Sequence, residues 1–198
     1  MGVLMTFKLS GLAVTVLAVT VLAILLLPIS LAAQDEPQES AESGASLETR
    51  AVRETEELHQ FFQGWFNGTV ENTDAVYDRF AGVLAEDFVI VSPSGNLQER
   101  ANLIEGLRGA YAPEDTEPIR VWVEKAEVRR HWPMPDGDLV LVTYEEWLQR
   151  GESSRGRLST AILREREDTP NGLEWLHVHE TWLPLDTQSQ AQSQTPSQ

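Results

Sequence analysis

The chain has 198 residues, enough for one domain with extensions, and its 41% hydrophobic content with six tryptophans excludes a wholly disordered protein. Thirty-one acidic against 15 basic residues give a formal net charge of -16, a surface that repels phosphate backbones and excludes nucleic acid as a partner. Cysteine is absent, which excludes disulfides, thiolate metal sites and a cysteine nucleophile together.

Residues 1–33 read as an export signal. Lys8 is the one charged side chain there, Leu9 to Leu27 is almost continuously apolar, Pro28 breaks that helix, and Ser30-Leu31-Ala32 supplies small residues for cleavage. The expectation is a cleaved signal peptide and a periplasmic or secreted protein. The alternative is an uncleaved membrane anchor, because a run of about 17–19 apolar residues is near the lower limit for spanning a bilayer. Any contact with membrane is expected through this segment alone. Residues 34–48 form a polar linker, residues 187–198 a disordered Gln/Ser-rich tail, and the folded domain occupies 49–186.

The domain opens with a strongly periodic helix, in which Leu58, Phe61, Phe62, Trp65 and Phe66 follow the i, i+3, i+4, i+7, i+8 rhythm of one apolar face. Asn67-Gly68 ends it. Asn72 or Thr73 caps a second helix with Val76, Phe80, Val83 and Leu84 along one side. Phe88 to Val91 is strand-like and Pro93-Ser-Gly95 turns it. Asn96 and Glu99 have the spacing of a capping box for a third helix, which buries Leu103, Ile104, Leu107 and Tyr111.

After Pro113 the pattern changes to strands over Ile119–His131, Leu139–Arg150 and Arg157–Glu165, with a fourth around Trp175–Leu183. Helices followed by an antiparallel meander predict an α+β domain, three helices packed on one face of a curved sheet. In Leu139–Leu148 both faces of the strand are largely apolar, although helices can cover only one. A second copy of the chain is the natural cover for the other, so a homodimer through the sheet is predicted.

Chemistry concentrates in the last strand. Strict alternation puts Trp175, His177, His179 and Thr181 on one face and Leu176, Val178, Glu180 and Trp182 on the other. His177 and His179 can hydrogen-bond a small molecule, act as acid and base with Glu145, or serve only in structural hydrogen bonds. Glu145 and Glu146 are adjacent and so face opposite ways. One of them shares a face with apolar neighbours and needs Arg157 as its partner. Aromatic Trp147, Trp175 and Tyr144 suit the wall of a pocket for a flat, apolar ligand. The two histidines lack a third histidine near in sequence, and no metal or other cofactor is predicted.

Three stretches carry a resemblance: Asp87-Phe-Val with Ser94-Gly95, Thr143-Tyr-Glu-Glu-Trp147, and Asn171-Gly-Leu-Glu-Trp-Leu-His-Val-His179. Together with the element order, they resemble the NTF2-like (SnoaL-like) superfamily, in its DUF4440-type branch. The closing strand is also similar to that of the association domain of calmodulin-dependent kinase. The resemblance spans nearly all of residues 50–185 and implies a cone whose helices and concave sheet enclose a pocket. It also implies that Asp87 could shuttle a proton beside a carbonyl, with Tyr77 or Tyr144 donating to the oxyanion. The superfamily holds both enzymes and non-catalytic modules, so fold alone does not choose an activity. The expected function is small-molecule binding, with an isomerase or lyase and a structural dimerisation module as alternatives.

Overall fold

A computed structural model describes residues 44–113 and 116–184 of the chain. The expected export signal, most of the expected linker and the Gln/Ser-rich tail lie outside the described residues.

Helix α1, Leu47–Asn67, begins two residues inside the expected linker because Ser46 caps it, its hydroxyl accepting from the Thr49 amide at 3.2 Å. It ends at Gly68, whose left-handed φ of 64° a side chain would resist. Its apolar face buries Leu58, Phe61 and Trp65 as the periodicity requires. The same stripe continues toward the N-terminus through Ala51, Glu54, Thr55 and His59, all buried. Helix α2, Asp74–Ala81, is capped by Thr73. Helix α3, Arg100–Gly109, is not started by a capping box. Asn96 instead accepts from the Ser92 amide through its carbonyl and donates its own amide to Ser92 Oγ at 3.2 Å in the turn before it, and Glu99 ends a short strand.

The strands are β1 (Leu84–Val91), β2 (Leu97–Glu99), β3 (Ile119–Trp132), β4 (Leu139–Arg150), β5 (Ser153–Glu165) and β6 (Leu173–Trp182). Their order across one sheet is β2-β1-β6-β5-β4-β3. The meander β3 to β6 is antiparallel as expected, but β1 docks parallel to β6. That pairing puts β6 inside the sheet, bonded on both sides. The fold is α+β, with helices on one face of the sheet.

Asn67 ties α1 to the edge strand, donating to Ile119 O at 2.7 Å and accepting from Ile119 N at 2.8 Å. Gln63 accepts from the Val121 amide at 2.9 Å. Two helix side chains thereby occupy backbone groups that an edge strand leaves open. Trp65 and Tyr77 donate to the Leu107 and Ile104 carbonyls, which holds α3 against α1 and α2. Deeper in, fully buried Glu54 accepts from both arms of Arg79, at 3.0 and 2.9 Å, and from the Trp175 indole at 3.1 Å. The helices are therefore latched to β6 by a satisfied charge as well as by packing.

Candidate functional site

Ile162 pairs with His177 and Leu163 with Trp175, so Leu176 is the extra residue of a bulge in β6. The bulge overturns the strict alternation expected for this strand. Trp175 joins Val178 and Glu180 on the face toward the helices, and His177 and His179 lie on the other face, in register with Ile162 and Thr160.

The helix-facing side encloses a cavity of about 340 Å³, near the lower end of the roughly 300–1,000 Å³ common for ligand sites. Leu58, Phe62 and Phe66 of α1, Phe80 of α2, Leu103 and Leu107 of α3, and Leu84, Phe88 and Ile90 of β1 make its apolar walls. Its sheet side carries Tyr144, Glu146, Arg157, Trp175 and Glu180, with His59 reaching in from α1.

These polar residues form one cluster. Arg157 donates to both oxygens of Glu146, through Nε at 2.8 Å and Nη2 at 2.6 Å. The same Nε stands 3.1 Å from Glu180 Oε1. His59 Nε2 lies 3.2 Å from Glu146 Oε2, and its Nδ1 donates to Thr55 O at 2.6 Å. Both ring nitrogens thus face acceptors, an arrangement that a doubly protonated imidazolium satisfies. The ring also meets Tyr144 edge to face at 5.1 Å.

Two carboxylates share this cluster and are driven apart. Burial alone would raise Glu146, but the charges of His59 and Arg157 and their hydrogen bonds outweigh it and hold the carboxyl down to about 2. Burial pushes Glu180 up to about 7; Arg157 opposes that rise and the Glu146 charge adds to it. Burial, followed by the two carboxylates, raises the Tyr144 phenol well above its ordinary value. One acid is thus fixed as a carboxylate while its neighbour changes charge near neutrality, the separation that acid/base sites use.

Of the residues singled out from sequence, the cavity gathers Tyr144, Arg157 and Trp175. The expectation of a histidine-lined pocket is corrected. His177 is half-buried and His179 exposed, both on the far face of the sheet. Glu145 shares that far face, where it accepts from Lys125 Nζ at 2.7 Å, and Leu158 and Thr160 separate it from His179 in the register. Trp147 also faces away from the cavity, stacked on Trp122 at 6.1 Å. Asp87 is exposed and borders a separate charged groove with Arg164 and Arg166. The cavity adds His59 and Glu180, which the sequence does not mark, and settles Glu146 as the one of the two adjacent glutamates that pairs with Arg157. The signal for His59 was its place on the apolar stripe of α1, one turn before Phe62 and Gln63.

Residues 53–184 match the family model described as sucrose-6-phosphate phosphohydrolase C-terminal. The chain belongs to the sucrose-6-phosphate phosphohydrolase C-terminal family. Sucrose-phosphatase 1 of Nicotiana tabacum is 30% identical over 132 residues, covering 66% of this chain. Sucrose-phosphatase 2 of the same plant is 30% identical over 135 residues, again 66% of this chain. The chain spans about 30% of the length of these two relatives.

Among solved structures, an NTF-2 like protein of unknown function from Pseudomonas aeruginosa superposes with a TM-score of 0.58 at 23% identity, covering 68% of this chain and 99% of that one. The CaMKII hub of S. rosetta gives 0.53 at 11% identity, over 71% of this chain and 99% of that one. This member of the sucrose-6-phosphate phosphohydrolase C-terminal family therefore has the NTF2-like fold that its sequence resembles.

Proposed function

We propose that this domain is an exported small-molecule-binding module whose site is the cavity between α1, α3 and the sheet. One observation carries the reading: Glu180, only 5% exposed, sits at the end of an apolar cavity with one shared arginine nitrogen as its partner. A carboxylate buried purely for structure is normally satisfied on both oxygens, as Glu54 is here. The sucrose-phosphatases bear the name of an activity on a phosphorylated sugar; the proposal for this chain concerns binding by the portion that it matches.

Native mass spectrometry of the full chain purified from its exporting host tests the reading. Extra mass that disappears when Leu107→Trp fills the cavity supports it. An empty cavity, with no ligand from a metabolite library stabilising the protein, sinks it. Acid/base catalysis is the enzymatic version of the same proposal, and it would run through Glu180 and Tyr144 rather than through His177, His179, Glu145 and Asp87.

A second reading, self-association through the outer sheet face, is favoured by the apolar residues left there. Leu158 is 42% exposed, and Val89, Val91, Leu141 and Ile162 are only partly covered. The S. rosetta neighbour is by its description a hub, which fits a fold used for association. Light scattering of wild type and Ile162→Glu is the test, with a dimer expected for the first and a monomer for the second.

A further inference from the structure

We propose that the cavity selects an apolar molecule carrying a protonated amine, and that Glu180 is the group that receives it. The inference rests on the cavity being the binding site and adds the charge of the ligand.

Arg157 spends Nε and Nη2 on Glu146 at 2.8 and 2.6 Å. Glu180 has only Oε1 at 3.1 Å from the Nε already used, and no side chain donates a second hydrogen bond to it among the described residues. His59 is turned toward Glu146 at 3.2 Å, not toward Glu180. The charged or titratable groups around Glu180 are then His59 from α1, Tyr144 and Glu146 from β4, and Arg157 from β5. Two carboxylates face Arg157 and His59, whose donors toward them are committed to Glu146. A carboxylate or phosphate ligand would bring a third negative group to that end of the cavity. An ammonium would supply the donors that Glu180 lacks.

The walls agree with this. Phe62, Phe80, Phe88 and Trp175 surround the cavity, and aromatic faces attract a cation as well as an apolar body. A sugar phosphate, rich in hydroxyls and anionic, matches neither the walls nor the charge. Selection here therefore runs against phosphorylated sugars.

The test uses three ligands of one shape that differ only in the head: 4-phenylbutylamine, 4-phenylbutanol and 4-phenylbutyrate. Each is titrated into the full chain by calorimetry at high salt, which screens the attraction of an acidic surface for any amine. The expected order is amine, alcohol, acid, with the amine on the order of tenfold tighter than the acid. Glu180→Gln lowers amine affinity and brings amine and alcohol to within about threefold of each other. In wild type, amine affinity rises between about pH 6 and about pH 8 as Glu180 ionises while the amine stays charged. Acid binding as tightly as amine overturns the proposal while leaving the cavity as the site. Amine binding that ignores both Glu180→Gln and pH overturns it by placing the amine elsewhere. Failure of all three ligands removes the binding-site reading, and this inference with it.

Discussion

Glu146 and His59 join the sheet to the first helix across 3.2 Å, with side chains only 3% and 4% exposed. Glu146 is also the residue that Arg157 holds with two hydrogen bonds. A carboxylate so placed is a structural anchor, and it leaves Glu180 as the group free to meet a ligand.

Adjacent residues on β4 should behave very differently. Removing one partner of a buried pair leaves an uncompensated charge, so Glu146→Ala is expected to cost about 3–5 kcal/mol. Glu145 pairs with Lys125, whose side chain is 66% exposed. Glu145→Ala removes a buried carboxylate that also accepts from the Trp147 indole, but the lysine it leaves unpaired is solvated, so the expected cost is smaller, about 1–2 kcal/mol. Denaturant melts of the two variants check this, and equal losses would contradict the face assignment.

Stability should fall as pH rises through neutrality. The folded-state carboxyl of Glu180 lies near 7, above its unfolded value, so its contribution is complete below about 4.5 and lost as pH rises through about 7. The full swing is about 3 kcal/mol. Glu146 acts with the opposite sign, since its contribution is present above about 4.5 and lost as pH falls toward about 2. Urea melts between about pH 5 and about pH 8 should show the decline in wild type and a flatter curve in Glu180→Gln. Parallel curves would rule out Glu180 as the source.

Two glycines give a control on packing. A Cβ at Gly156 would lie 2.7 Å from Trp147 and 2.8 Å from Leu183, so Gly156→Ala is expected to cost about 1–3 kcal/mol. A Cβ at Gly106, exposed on α3, meets nothing within 4 Å. Gly106→Ala is expected to stabilise by about 0.5–1 kcal/mol. Thermal melts of both variants read the two signs directly.

Much of the fold was legible because helices and strands write their periods into sequence. Phe61, Phe62, Trp65 and Phe66 declared a helix face, and the strand-like runs after Pro113 declared the antiparallel meander β3 to β6. Parity also showed that Glu145 and Glu146 part company and that one of them pairs with Arg157. Which one faced the helices was not legible, since both faces of the strand are apolar. The histidines misled for a sharper reason. A single extra residue, Leu176, reverses the relation between Trp175 and everything after it, and a bulge leaves no mark in an alternation pattern. His59 was hidden because a polar residue within an apolar stripe reads as noise until the sheet behind it is known.

A cavity that binds a small molecule beside Glu180 should hold one in the protein as isolated. A crystal structure of the full chain as purified from its native host, without added ligand, tests this most directly. Electron density is expected between Phe62 and Trp175, with a donor atom within hydrogen-bond distance of the Glu180 carboxylate. A cavity closed by collapsed side chains, with Glu180 bonded on both oxygens by the protein itself, would contradict it.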